Sequence, residues 1–175
     1  PSVPVATRFV IIGGGPAGNT AATYAARLGA EVTMIERAVI GGAAHLWDCI
    51  PSKTMIATGG AMSFSRRIHG MGLEQQEAEV DIAALTSRIE GIKARLQQGT
   101  TRLLESQGVQ LLHGTAQLLN DHDVQVTTAE GTRVIAADSV LIATGSRPRV
   151  PDWCRLDGVR RLTRRPCSRP SIFHA

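Results

Sequence analysis

The stretch Val10–Gly18, VIIGGGPAG, joins an apolar, β-branched run to a segment of small residues. Its glycines follow the spacing G-x-G-x-x-G: Gly13, Gly15 and Gly18. In this pattern the first glycine permits a tight turn, the second admits a pyrophosphate to the backbone, and the third lets a helix approach the strand. Pro16 and Ala17 open that helix, whose free N–H groups attract phosphate. The stretch predicts a strand, a turn and a helix that bind a dinucleotide, with a purely structural turn as the alternative.

A carboxylate at the end of the next strand supports the dinucleotide interpretation. Glu31–Glu36, EVTMIE, has the composition of a second strand, and Glu36 lies 23 residues after Gly13. A carboxylate there accepts hydrogen bonds from ribose hydroxyls and disfavours a 2′-phosphate. We therefore include Glu36 and its neighbour Arg37 among the predicted cofactor-binding residues.

Strand and helix signals alternate along the rest of the chain. The predicted strands cover residues 8–12, 31–36, 109–113 and 139–143, and shorter ones cover 117–119, 124–128 and 132–135. Predicted helices cover 16–28, 51 to about 68, and a long segment from a cap at Asp81 to Gly108. Buried strands alternating with helices indicate an α/β fold with a parallel sheet, and the short strands indicate a small antiparallel meander.

Composition and charge exclude several classes of protein. The 175 residues suffice for one core, and no apolar run is long enough to span a membrane. Residues 1–150 carry thirteen basic and thirteen acidic side chains, so the net charge of +4 comes from the arginines beyond 150, which argues against nucleic-acid binding. The three cysteines and five histidines lack metal-ligand spacing, so we expect no metal. The first residues do not have the pattern of a signal peptide, and we expect a cytoplasmic protein.

Three motifs in order, VIIGGGPAG, GGAAHLWDCIPSK and VLIATGSRPR, resemble the FAD domain of the pyridine nucleotide-disulfide oxidoreductases over residues 8 to about 163. The resemblance implies a Rossmann-like FAD-binding domain and NAD(P)H as electron donor. It implies FAD contacts on the ADP side from the glycine turn and Glu36, and on the flavin side from Gly41, Gly42 and Lys53. It also implies contacts from two further segments: Gly114, Thr115 and Ala116, and Ala143, Thr144 and Gly145.

The middle motif departs from the disulfide reductases, which carry two cysteines five residues apart. Ala44 stands in the first position and Cys49 in the second. A methyl group cannot exchange thiols, so the dithiol relay is absent. The resemblance gives Cys49 and Lys53 a place beside the flavin as candidate catalytic residues. A small buried hydrophobe at Cys49 and a solvated lysine at Lys53 remain the alternatives.

We therefore expect an FAD-dependent NAD(P)H oxidoreductase of quinone-reductase type, which passes electrons directly to a small quinone-like acceptor. Residues 1–150 are the expected FAD-binding domain and 151–175 a linker remnant with a disordered basic tail. A second nucleotide fingerprint and the family's dimer interface are missing, so we expect a truncated FAD-binding part, inactive alone. The alternatives are a non-catalytic FAD-domain remnant or, if another thiol replaces residue 44, a dihydrolipoamide dehydrogenase-like reductase.

Overall fold

The computed structural model describes residues 6–74, 78–146 and 149–154. The chain divides into two compact units: Pro1–His45 with Arg95–Arg147, and Leu46–Ala94 with Pro148–Ala175. All strands found among the described residues lie in the first unit. The glycine turn and the expected ribose-binding carboxylate therefore belong to one unit.

Seven strands follow one another along the chain: β1 (Arg8–Ile12), β2 (Glu31–Glu36), β3 (Gln110–His113), β4 (Thr115–Leu118), β5 (Asp123–Thr128), β6 (Gly131–Ala136) and β7 (Ser139–Ile142). Four of them form a parallel sheet in the order β3-β2-β1-β7. Val10 lies in register with Thr33 on one side and with Val140 on the other. The central strands are almost entirely apolar because both faces of the sheet are covered.

One face of the parallel sheet packs against helix α1 (Pro16–Arg27). Ile11, Val32 and Met34 form a core there with Ala22 of the helix and with Leu104. The helix is rich in alanine, which favours helix formation and allows a close approach to the strands. This packing holds the start of α1 at the carboxyl end of β1, where a nucleotide phosphate is expected.

The other face is covered by a three-stranded antiparallel sheet in the order β4-β5-β6. Val10 and Ile35 of the parallel sheet share a core with Val124 and Val126 of β5. Strand β4 begins at Thr115, two residues before the predicted start, because Thr115 already pairs with a residue of β5. The predicted α/β fold with a parallel sheet and a small meander is confirmed.

The second unit is helical in its described part. A π-helix, Ala44–Cys49, spans the boundary between the units and runs directly into α2 (Ile50–Arg66). A further helix, α3 (Ile82–Ser106), starts in this unit, and the backbone N–H of Ala84 donates a 2.9 Å hydrogen bond to Oδ1 of Asp81. The predicted cap at Asp81 is therefore confirmed. Helix α2 begins at Ile50, one residue before the predicted start at Pro51. The proposed boundary near residue 150 stays a prediction, and the tail beyond 154 lies outside the described residues.

Candidate functional site

The carboxyl ends of β1, β2 and β7 meet at the first glycine of the turn. Gly13 has a φ of +113°, and its N–H donates a 2.8 Å hydrogen bond to the carbonyl of Ile35. A Cβ on Gly13 would strike the carbonyl oxygen of Ala143. A side chain is excluded there by both the backbone conformation and the neighbouring strand. The turn therefore brings the first and last predicted motifs, around Gly13 and Ala143, to one edge of the sheet.

The first turn of α1 is open to a ligand. Gly15 caps the helix in an extended conformation without a side-chain hydrogen bond, and a Cβ there would meet nothing within 4 Å. The first intrahelical bond runs from the N–H of Asn19 to the carbonyl of Gly15, at 2.9 Å. Within the described part of the chain, the N–H groups of Ala17 and Gly18 have no acceptor. Free N–H groups at a helix start form an anion site.

The third glycine keeps α1 close to the turn. A Cβ on Gly18 would strike the carbonyl oxygen of Gly13, and the Gly18 position is buried. Any side chain would push the helix start away from β1. The spacing of the glycines thus reflects two close backbone contacts and one open position.

The carboxylate of Glu36 is held by the backbone on both sides. The N–H of Gly14 donates to Oε2 at 2.7 Å, and the N–H of Ala38 donates to Oε1 at 2.7 Å. Each carboxylate oxygen accepts about two hydrogen bonds, so one acceptor position remains on each for another donor. Glu36 is thus fixed at the carboxyl end of β2 and retains capacity for ribose hydroxyls. Arg37 follows on the exposed surface.

The glycine pair of the second motif packs on the glycine turn. The N–H of Gly41 donates a 2.8 Å hydrogen bond to the carbonyl of Gly14. Gly42 has a φ of +66°, and a Cβ there would lie 2.7 Å from the Cα of Gly15. Gly41 has a φ of +107°, so both positions favour glycine. This docking, which lies within the first unit, fixes the point from which the Cys49 segment departs.

Cys49 and Lys53 lie on one continuous helical segment of the second unit. Cys49 ends the π-helix in a helical conformation, and its carbonyl accepts a 3.1 Å hydrogen bond from Ser52 Oγ. Its thiol is free and partly buried. Lys53 is exposed, and among the described residues its side chain has no hydrogen bond or ion pair. Four residues separate the two, so both lie on one side of the helix, as the spacing indicates.

The remaining predicted residues fall at two places in the first unit. Gly114 directly follows β3, and its N–H donates a 3.0 Å hydrogen bond to the Glu36 carbonyl. Thr115 and Ala116 continue from it as β4. Thr144 and Gly145 follow β7 on the exposed surface, next to the Gly13 contact made by Ala143. The structure thus gathers the glycine turn, Glu36, Gly114 and Ala143 along one sheet edge.

Sequence reasoning missed Gly14 and Ala38 as partners of Glu36. A carboxylate at a strand end, followed by a turn and facing a glycine loop, is the available signal, because such backbone N–H groups need acceptors. Ile40 was also missed: a Cβ on Gly14 would lie 2.9 Å from its Cδ1. Gly14 and Ala38 shape the site through their backbone N–H groups, and Ile40 through its side chain.

Within residues 6–74, 78–146 and 149–154, no group of three or more His, Cys, Asp or Glu side chains is arranged to hold a metal ion. None of the helices in these ranges has the length and apolarity that crossing a membrane requires.

Parallel strands with α1 on one face, and a glycine turn and a carboxylate at their carboxyl ends, define a Rossmann-like α/β fold. The chain belongs to the pyridine nucleotide-disulphide oxidoreductase family, whose profile matches residues 7–169. The predicted family and its oxidoreductase class are confirmed.

The similar proteins include one named as a quinone dehydrogenase and one named as a dihydrolipoyl dehydrogenase. The chain is 39% identical over 169 residues to a protein of Mycobacterium tuberculosis named NAD(P)H dehydrogenase (quinone), covering 90% of this chain and 34% of the relative. It is 35% identical over 159 residues to dihydrolipoyl dehydrogenase 2 of Haloarcula marismortui, covering 89% and 34%. The chain thus spans about a third of the length of these curated relatives.

Solved structures agree with the fold. The crystal structure of LpdA from Mycobacterium tuberculosis matches with a TM-score of 0.82 and 37% identity, over 93% of this chain and 37% of that chain. A Cu(II) complex of the flavoprotein disulfide reductase RclA from Escherichia coli matches with a TM-score of 0.70 and 25% identity, over 85% and 30%.

Proposed function

We propose that this chain supplies the FAD-binding part of an NAD(P)H oxidoreductase of quinone-reductase type. One observation carries the proposal: the open start of α1 and the fixed carboxylate of Glu36 lie at the same sheet edge, joined through Gly14. An anion site next to a hydroxyl acceptor matches the pyrophosphate and ribose of a dinucleotide. The activity of the whole protein is part of the proposal, because the chain covers about a third of its relatives.

The residues at this edge fit FAD. The position of Gly15 is open, so a pyrophosphate can approach the backbone, and the N–H groups of Ala17 and Gly18 are free to donate. Glu36 keeps an acceptor position on each oxygen for the ribose. We propose that the segments at Gly114 and Ala143 complete the cofactor contacts along the same edge.

When bound, FAD supplies the redox chemistry by accepting two electrons from NAD(P)H and passing them on. The chain contributes binding and orientation through the glycine turn and Glu36. Lys53 carries an uncompensated positive charge on α2, and we propose that this charge tunes the flavin. Cys49, at the end of the π-helix that runs into α2, is proposed to stand beside the flavin.

We propose a quinone-like acceptor, because Ala44 argues against disulfide chemistry. Thiol exchange with a disulfide substrate needs a nucleophilic sulfur, and alanine has none. Cys49 alone cannot form the dithiol that a disulfide reductase cycles. The 39% identity to a protein named NAD(P)H dehydrogenase (quinone) supports the same acceptor class.

A dihydrolipoyl dehydrogenase-like activity is the second candidate. Its support is the 35% identity to dihydrolipoyl dehydrogenase 2 of Haloarcula marismortui. It requires a thiol from elsewhere to replace the missing one at Ala44.

The test uses the 175-residue protein and its variant Cys49→Ser. We expect added FAD to bind, so that its fluorescence changes on titration and its visible absorption band remains with the protein after gel filtration. If FAD does not bind, the assignment of the glycine turn is wrong. Reduction by NADH under anaerobic conditions, followed by reoxidation with a quinone in both proteins, supports direct electron transfer. Bound flavin that NADH does not reduce is the result expected of an FAD-binding part that is inactive alone, and lipoamide reduction favours the second candidate.

A further inference from the structure

The space between the two sheets of the first unit is apolar at one end and lined by polar side chains at the other. Toward the carboxyl ends of the parallel strands it is filled by an apolar core that includes Ile35 and Val124. At the amino ends it opens into a cleft of about 240 Å³. Five polar side chains line this cleft: Arg8, Glu31, Thr33, Gln110 and Arg133. The cleft lies at the end opposite the glycine turn and serves no part of the proposed cofactor site.

The parallel sheet lines the cleft with polar side chains, because alternate residues of a strand project from the same face. Val10 and Ile35 point into the core between the sheets, so residues two or four positions earlier on each strand share that face. These residues are Arg8 on β1, with Glu31 and Thr33 on β2. The Thr33 side chain is buried, and its hydroxyl donates a 3.3 Å hydrogen bond to Oε1 of Gln110.

The wall from the antiparallel sheet carries an inward-facing arginine. Arg133 on β6 is in register with Val126, which is fully buried in the core between the sheets. Directly opposed residues of an antiparallel pair project from the same face. Arg133 therefore lies on the inner face of its sheet, at the edge strand, where the apolar core gives way to the cleft.

The charged side chains that line the cleft differ in whether they form an ion pair with another described residue. Asp138 engages Arg8 through a 2.7 Å ion pair and a second contact at 3.3 Å. In contrast, neither Arg133 nor Glu31 forms an ion pair with any other described residue. Together with Asp138, the charge of Glu31 raises the pKa of the neighbouring Arg8. Arg133, which has no ion pair among the described residues, and Glu31 thus face a single cleft from opposite walls.

We propose that this cleft binds a small zwitterion of the free amino acid class. The ligand carboxylate pairs with the guanidinium of Arg133, whose planar donor fork suits that group. The ligand ammonium pairs with Glu31. The Gln110 side-chain amide has donors left over after its bond with Thr33, and Ile135, whose side chain faces the space between the sheets, offers apolar contact to a ligand side chain.

The size of the cleft limits the ligand. Its volume of about 240 Å³ is below the roughly 300–1,000 Å³ of pockets for drug-sized ligands. An amino acid with a small or branched side chain fits this scale, whereas a nucleotide does not. A simple carboxylate would leave Glu31 unpaired, and a simple amine would leave Arg133 unpaired.

The test follows backbone amide resonances of the 175-residue protein by NMR during titration with L-serine, L-valine and L-leucine, each separately. We expect at least one to shift resonances of residues 31–33 and 133–136, with a Kd of about 1 mM or tighter. The best amino acid is then compared with its analogue lacking the amine and with its analogue lacking the carboxylate. Each analogue should bind at least tenfold more weakly, because a hydrogen bond to a charged group contributes about 1.5–3 kcal/mol.

The variants Arg133→Gln and Glu31→Gln should each weaken binding of the amino acid at least tenfold. Arg102→Gln removes an equal charge from the exposed surface of α3, outside the cleft, and should change nothing. Both test positions are exposed, so folding is preserved, which the unshifted remainder of the spectrum checks. The proposal fails if none of the three amino acids shifts these resonances. It also fails if the analogue lacking the amine binds as tightly as the amino acid.

Discussion

The backbone N–H of Gly14 donates a 2.7 Å hydrogen bond to Oε2 of Glu36. This bond ties the turn after β1 to the end of β2, and the N–H of Ala38 holds the other oxygen at 2.7 Å. The carboxylate is therefore oriented by the backbone before any ligand arrives. Such preorganisation lowers the entropic cost of binding.

The variant Glu36→Gln tests this relationship. A glutamine offers one oxygen where the carboxylate offers two, so one backbone N–H and one ribose hydroxyl lose their charged acceptor. We expect the Kd for FAD to rise about tenfold or more, since a hydrogen bond to a charged group contributes about 1.5–3 kcal/mol. Titration followed by flavin fluorescence measures the change.

Glu105→Gln is the matched control, because the Glu105 side chain lies exposed on α3 and forms no hydrogen bond or ion pair among the described residues. It should bind FAD like the unchanged protein. Equal affinities for the Glu36 and Glu105 variants would show that Glu36 does not contact the ribose.

Gly42→Ala should destabilise the first unit. The φ of +66° costs an L-residue roughly 1–2 kcal/mol, and the new Cβ would lie 2.7 Å from the Cα of Gly15. We expect the free energy of unfolding to fall by about 2 kcal/mol and the affinity for FAD to fall with it, because Gly15 is displaced. Urea unfolding followed by circular dichroism measures the first effect. An unchanged midpoint would mean that the glycine pair does not dock on the turn.

Gly99→Ala should have the opposite effect. Gly99 lies within α3 on the exposed surface, and a Cβ there would meet nothing within 4 Å. Alanine loses less backbone entropy on folding, so the free energy of unfolding should rise by about 0.5–1 kcal/mol. A decrease would contradict the helical assignment at this position, and the variant serves as the reference for Gly42→Ala.

The ion pair between Arg8 and Asp138 should make stability sensitive to acid. Hydrogen bonds from the Arg8 side chain and backbone lower the pKa of Asp138 from its ordinary value of 3.8 to about 2. Above pH 3.8 the carboxylate is charged in both the folded and the unfolded chain, so its stabilising contribution is complete. That contribution is lost as the pH falls through about 2, because the folded form then also takes up the proton.

Comparison with Asp138→Asn isolates this contribution from that of the other carboxylates. The unchanged protein should have the higher urea midpoint at about pH 6, and the difference should shrink as the pH falls from about 4 to about 2. High salt should reduce the difference at about pH 6, since the pair is exposed. A difference that does not depend on pH would exclude Asp138 as its source.

Local pattern was sufficient to predict most elements of the fold. The β-branched runs marked β1 and β2 at their observed bounds, and Asp81 marked the cap of α3 because a side-chain oxygen satisfies a free helical N–H. The turn at the three glycines and the place of Glu36 at the end of β2 could also be predicted, because glycines and a carboxylate at this spacing are typical of such a turn. Contacts between residues a few positions apart can therefore be predicted from the sequence alone.

Tertiary structure alone decided what depends on residues far apart in the chain. The docking of Gly42 on Gly15 and the backbone partners of Glu36 became visible only when β1 and β2 were paired. The inward face of Arg133 likewise follows from its register with Val126. The sequence by itself determined that a parallel α/β fold with a dinucleotide turn would form, because periodicity and glycine spacing are local. Which distant groups share an edge or a cleft depends on strand order and register, which no local pattern encodes.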